Sequence, residues 1–341
     1  MLAGSAACGT VENLSAGQKL DKAFDKLGEA RSLSFELDLD ADAATLKSLD
    51  AESSEPGEEM PDEMAELLSD ARLTFSVHSK KPIEKSEEKD FTAMAMKFSG
   101  PDGDLLEYRM IGDHLYVRVD AEALGKMAGS PMPSADELPP EAGAFKQLLA
   151  GEWLKLSVKE LEKTRDEMAG AEGPGGEEPA AEPSLDAKTQ KKLTKALRQV
   201  VAEQVDFTTS GGSDGTEHVK ATAPFRTLIT ELLDELRPLQ DQLLPGGAGL
   251  PTAKDFKDAP NKKVTADFTL KNGELTEVSV DLAKLAEKAK VEKSALVLRI
   301  GTAEKATAPA GATEVRIDEI MSGLLGGMGP IGEEGFGGGE F

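Results

Sequence analysis

Val264-Thr265-Ala266-Asp267-Phe268-Thr269-Leu270, then Lys271-Asn272-Gly273, then Glu274 through Leu282, is the stretch that decides the architecture. Two alternating runs flank an Asn-Gly pair, the strongest short-range hairpin signal. A two-residue Asn-Gly loop sets Phe268 opposite Glu277 and Val264 opposite Asp281, which mixes apolar and charged groups on one face. A three-residue loop, Lys271-Asn272-Gly273 with Gly273 at positive φ, pairs Phe268 with Thr276, Ala266 with Val278 and Val264 with Val280. That register separates an apolar face from a polar one carrying Thr265, Asp267, Thr269, Glu277, Ser279 and Asp281. A one-residue slip would turn a strand over, so the three-residue loop with a bulge is the expectation. The hairpin then belongs to an antiparallel sheet with one dry and one wet face.

Outward from the hairpin, the same alternation recurs. Ser34 to Asp40 places Phe35, Leu37 and Leu39 on one side and Glu36, Asp38 and Asp40 on the other. Ala71 to His78 turns Leu73, Phe75 and Val77 inward, and Phe91 to Phe98 turns Met94, Met96 and Phe98 inward. Residues 105–119 form a second hairpin about Gly112-Asp113, a two-residue turn with glycine first. It pairs Met110 with Leu115, Tyr108 with Val117 and Leu106 with Val119, and sets Glu107 opposite Arg118 and Arg109 opposite Tyr116. Trp153 to Leu156, a looser hairpin at 205–222, Leu296 to Ile300 and a short run at 314–317 complete the strands.

Helical periodicity marks 13–30, with Leu20, Phe24, Leu27 and Ala23 on one stripe. It also marks 62–69, 120–128, 143–150, 157–169, 187–204 and 225–243. Strands joined by hairpins, with helices clustered rather than alternating, argue an α+β fold and not a doubly wound sheet. Acidic inserts near 50–63 and 169–184 and a Gly-rich tail at 321–341 read as disordered.

The chain has 341 residues and a formal net charge of −24, with a pI near 4.6. Such a surface repels phosphate backbones, so no nucleic acid partner is expected. No stretch has the length of a membrane-spanning apolar helix. The single cysteine, Cys8, excludes an intrachain disulfide. It follows Met1-Leu2-Ala3-Gly4-Ser5-Ala6-Ala7 and precedes Gly9, so residues 1–12 resemble the end of a lipoprotein signal peptide with its tether. Ser5 stands where such boxes usually carry an aliphatic residue. Cys8 is the expected lipid anchor.

Catalytic patterns are not expected. His78, His114 and His218 are isolated, with no Cys, His or Glu at metal-ligand spacing. There is no Gly-x-Ser-x-Gly, no P-loop and no Gly-x-Gly-x-x-Gly after a strand. Acidic pairs such as Glu58-Glu59 and Glu177-Glu178 sit in inserts that cannot hold carboxylates at a fixed separation. No catalytic residue, metal or cofactor is therefore expected. The informative feature is the continuous apolar face, with the helices at 187–204 and 225–243 available to cover it. That face is either filled by the chain itself or open to a guest.

Taken in order, several weak features resemble the LppX/LprG-like family of actinobacterial envelope lipoproteins, which have a LolA-like fold. They are Cys8-Gly9 before an amphipathic helix, Ser32-Leu33-Ser34-Phe35, and Ile111-Gly112-Asp113-His114-Leu115-Tyr116-Val117. Gly151-Glu152-Trp153-Leu154-Lys155-Leu156, the passage from His218 to Leu236, and Ala266 to Val280 complete the series. The resemblance implies an open, curved antiparallel sheet, a half-barrel closed by helices around an apolar cavity, over 13–320. It implies a non-enzymatic lipoprotein on the extracytoplasmic face of the cell membrane, binding acyl chains of lipids or lipoglycans for transport or presentation. A same-fold protein with a self-filled interior, serving as an interaction or sensor module for an envelope protein partner, is the alternative. The expected cavity wall is Phe35, Leu37, Leu73, Phe75, Met94, Met96, Tyr108, Val117, Val264, Ala266, Phe268, Val278, Val280 and Leu298. The chain departs from the family in its acidity and its Gly/Pro/Glu inserts.

Overall fold

The computed structural model describes residues 6–53, 60–127, 132–138, 142–161, 163–164, 200–211, 214–237, 250–252, 254–257, 260–285, 291 and 293–320. Helix α1 (Ala6–Glu29) leads into β1 (Ser32–Asp40), and α2 (Ala43–Ser53) and α3 (Asp62–Asp70) follow. Strands β2 (Arg72–Ser79), β3 (Phe91–Gly100), β4 (Gly103–Ile111) and β5 (His114–Val119) form a meander. Short helices α4 (Ala121–Met127) and α5 (Gly143–Leu149) precede β6 (Leu154–Ser157). The second half holds β7 (Asp206–Gly211), β8 (Thr216–Pro224), α6 (Phe225–Leu236), β9 (Lys263–Lys271), β10 (Glu274–Asp281), β11 (Ala295–Gly301) and β12 (Thr313–Glu314).

All twelve strands join one open sheet in the order β12-β6-β5-β4-β3-β2-β1-β11-β10-β9-β8-β7. Neighbours are antiparallel except β12, which runs parallel to β6. The α+β class read from the sequence is the class observed. The connection that brings β12 to the far edge crosses the polar face. Ser32 Oγ donates to the Ala303 carbonyl at 2.8 Å, and an Arg109 guanidinium N–H donates to the Thr307 carbonyl at 3.0 Å. Thr313 N–H then meets the Trp153 carbonyl at 2.9 Å.

The β9–β10 hairpin has the predicted faces but a different turn. Glu274 pairs with Lys271 and Leu275 with Leu270, so the loop is the two residues Asn272 and Gly273. Both have positive φ, 53° and 72°, as a turn matching the strand twist requires. The register then shifts between Leu275 and Glu277, after which Val278 pairs with Phe268 and Val280 with Ala266. The bulge at Thr276 turns the alternation over once, so Leu275 and Val278 point to the same side. The sequence reading placed the extra residue in the loop, and its pairing is off by two residues. The β4–β5 hairpin has every cross-strand pair expected of it.

Several helices differ from expectation. The helix predicted for 13–30 begins at Ala6. Its buried stripe is Ala16, Leu20 and Ala23 with Leu27 packed alongside, while Phe24 is half exposed. Residues 50–53, read as part of an acidic loop, belong to α2, which the sequence reading missed. Of the helix predicted at 187–204, 200–204 is helical and 187–199 lies outside the described residues; 238–243 of the helix at 225–243 also lies outside them. So do the whole insert at 169–184 and the whole tail at 321–341.

The tip of the β9–β10 hairpin is braced by the turn before β8. Asn272 N–H donates to the Gly215 carbonyl at 2.9 Å. Gly215 has φ +74°, and a β-carbon there would sit 2.5 Å from Asn272 Oδ1. At Gly273, by contrast, it would meet only the Lys26 ammonium at 3.5 Å. Gly273→Ala is expected to cost about 1–2 kcal/mol for the left-handed backbone alone, and Gly215→Ala more than that. Urea unfolding of the two variants checks this, and equal losses would show that the turn-to-tip contact carries no weight.

Candidate functional site

The cross-strand registers bring the expected residues into two adjoining sets of rows. Leu154, Val117, Tyr108, Met96, Phe75 and Phe35 follow one another across β6, β5, β4, β3, β2 and β1, and Phe35 pairs on with Ile300 of β11. Leu37, Leu298, Val278, Phe268 and Val219 run across β1, β11, β10, β9 and β8. Leu73 pairs with Leu37, and Met94 with Met110. Ala266 lies between Val280 and Ala221, and Val264 opposite Ala223. All fourteen predicted residues therefore share one face. From β6 to β9 the sheet is nine strands wide, about 38 Å at the usual spacing between strands.

Cover on this face is uneven. At the β7–β10 end, α1 supplies Ala16, Leu20 and Ala23 to a core with Val219, Leu270 and Leu275, against which Phe268, Val278 and Ile300 pack. At the opposite end Ala144 of α5 and Val315 close over Leu154 and Leu156, with Val117 and Leu148 alongside. Between these ends Phe35, Leu37, Phe75, Met94, Met96 and Tyr108 are only half-buried. Leu73 and Leu296 are 38% and 39% exposed. Helix α6, one of the two elements expected to cover the sheet, has no buried residue among those described.

The outward face has a different chemistry. Glu107, buried, accepts hydrogen bonds from Arg109 Nε at 2.8 Å and Arg118 Nη2 at 3.3 Å. Both guanidinium groups lie over the Trp153 ring, at 4.8 and 5.3 Å. Arg299 reaches Glu36 at 3.3 Å, Glu277 at 3.6 Å and also Asp38. His78 lies 3.4 Å from the Ser32 hydroxyl and His218 3.1 Å from Asp267. These ion pairs and hydrogen bonds fix neighbouring strands to one another. Among the described residues no group of three His, Cys, Asp or Glu could hold a metal, and no helix is long and apolar enough to cross a membrane. An open cleft of about 450 Å³ between α5 and β12 is lined by Lys146, Gln147, Glu152, Glu314 and Glu319. It lies at the sheet edge, away from the central apolar rows.

Sequence reasoning did not place Leu275, Val219 or Ile300 with the others. Leu275 was hidden by the bulge. Ile300 was legible in principle, since it has the parity of Leu296 and Leu298. Cys8 lies in the first turns of α1.

No family model matches the chain, and no curated protein matches it. The solved structures that resemble it include two mycobacterial lipoproteins. One is the lipoprotein LppX of Mycobacterium tuberculosis, at TM-score 0.30 and 10% identity, over 87% of this chain and 99% of LppX. The other is LprF of Mycobacterium bovis, at TM-score 0.34 and 10% identity, over 88% of this chain and 98% of LprF.

The uneven cover makes substitutions on one face behave differently. Val278→Trp, against the α1 core, should cost about 1–3 kcal/mol by overpacking. Leu73→Ser, in the half-open middle, should change stability by no more than about 0.5 kcal/mol. Denaturant midpoints of the two variants check the contrast, and a large loss at Leu73 would mean that the middle of the face is packed core.

Proposed function

We propose that the chain is an extracytoplasmic lipoprotein whose apolar sheet face holds the acyl chains of a lipid guest, for transport or presentation in a cell envelope. The observation that carries this reading is the half-buried middle of the face. Rows of Phe, Leu and Met side chains run across it, half-buried, while among the described residues the larger buried clusters of this face lie towards its two ends and Leu33 and Val77 are buried at the ends of β1 and β2. A monomer rarely leaves so large an apolar surface without a use for it. Each methylene of a guest that moves from water onto such a surface contributes about 0.8 kcal/mol, so a single long chain suffices for binding without any covalent step. The methionines at 94, 96 and 110 suit guests of varied shape, because the unbranched thioether repacks readily. Of the fourteen residues named above, Phe35, Leu37, Leu73, Phe75, Met94, Met96 and Tyr108 are the proposed contact surface, while Phe268 and Val278 pack against the α1 core and Val117 against the α5 core.

Cys8 is the proposed attachment point, carrying a diacylglyceryl group and an N-acyl chain. More than one chain is required there, since a single acyl chain holds a protein at a membrane only marginally. The net charge of −24 keeps the body of the protein off an anionic bilayer surface, which leaves the anchor as the means of attachment.

The test is to express the full chain in an actinobacterial host, extract it in mild detergent, and identify bound lipid by mass spectrometry of the intact complex. A stoichiometric acyl lipid is expected, reduced several-fold by Met96→Trp at unchanged thermal stability. A lipid-free protein, or uptake indifferent to Met96→Trp, contradicts the reading in favour of a self-filled interior. In the same host Cys8→Ser should move the protein from the membrane fraction to the soluble one. Membrane association that survives the substitution excludes Cys8 as the anchor.

A further inference from the structure

We infer that Tyr108 is the specificity-determining residue of this face: its phenol O–H donates a hydrogen bond to the ester carbonyl of the guest and so selects acyl esters over hydrocarbons of equal size. The inference rests on the lipid-binding reading above and adds a chemical class to it. Tyr108 is in the middle of β4, paired with Met96 on one side and Val117 on the other. Its same-face neighbours along the strand, Leu106 and Met110, are apolar as well. The phenol is thus a polar group set into a block of thioether and aliphatic side chains.

The hydroxyl has no hydrogen-bond partner among the described residues, and no unpartnered side-chain oxygen or nitrogen among them is fully enclosed. The oxygen is therefore not fully enclosed. The other tyrosine, Tyr116, has the opposite parity and is buried on the polar face. A buried or ligand-covered tyrosine ordinarily finds a partner for its hydroxyl. Once an acyl chain covers Tyr108, water is displaced, and an oxygen of the guest is the replacement partner. An ester carbonyl fits, because it accepts one hydrogen bond while the rest of the molecule remains apolar. A hydrocarbon leaves the phenol without a partner beneath it, at the cost of an unmade hydrogen bond.

The experiment loads the full chain from donor vesicles doped with equal amounts of methyl stearate and n-eicosane, then measures the retained ratio by gas chromatography and mass spectrometry after gel filtration. Wild type should retain the ester in preference by roughly 2- to 13-fold, the range a neutral hydrogen bond supports. Tyr108→Phe should bring the ratio towards one by lowering ester retention, with eicosane retention no lower than in wild type, and the melting temperature should stay unchanged, since the hydroxyl has no described protein partner to lose. As a second reading, the stretching band of an isotope-labelled ester carbonyl should lie at lower frequency in wild type than in Tyr108→Phe. A wild-type ratio near one, or an ester preference that survives Tyr108→Phe, overturns the role of Tyr108 and leaves lipid binding standing. Retention of neither probe by wild type overturns both readings together.

Discussion

Everything in this molecule depends on a two-residue period kept in phase across a sheet of twelve strands. A strand has only two faces, and one residue of slip exchanges them. The sheet corrects its phase where the sequence would otherwise lose it. In β10 the bulge at Thr276 lets Leu275 face the α1 core and still leaves Val278 opposite Phe268. Register shifts between Phe98 and Ser99 and between His78 and Ser79 make similar adjustments at the ends of the meander. The apolar rows run without a charged residue from β6 to β9.

The two faces then do different work. On the polar side, cross-strand ion pairs and the crossing connection from β11 to β12 hold the strands together. Glu107 under two arginines and Arg299 among three carboxylates are the densest examples. On the apolar side, packing is concentrated at the ends. The α1 stripe closes one end and α5 with Val315 the other. The stable parts of the fold therefore lie away from the middle, and the middle is where a guest can be held without dismantling a core.

Much of this was legible before any coordinates. Alternation in β1 to β5 and β9 to β11 set the faces, and the Gly112-Asp113 turn set a complete register, because a two-residue loop leaves no freedom in the pairing. The bulge was inferable but not its position. A three-residue loop and a two-residue loop followed by a bulge yield the same apolar face, and only the paired backbone separates them. Helix α2 escaped because Ala43 to Ser53 carries little amphipathic contrast and runs into an acidic segment. The role of α1 as cover was also missed. The stripe read from the sequence has Leu20, Ala23 and Leu27 in place and errs at Phe24, while the small Ala16, which allows the helix to approach the sheet, gives a weak signal in any hydrophobicity pattern. What lies over a sheet depends on distant segments, and local periodicity carries no information about that.

The central claim is that the middle of the apolar face receives an acyl chain from another molecule. It is tested most directly by a crystal structure of the full chain loaded with a fatty ester brominated along its chain, with the bromine positions located by anomalous scattering. The account predicts bromine peaks in contact with Phe35, Phe75 and Met96. A structure in which the chain's own side chains occupy that space, with bromine absent or confined to the polar face, would contradict it.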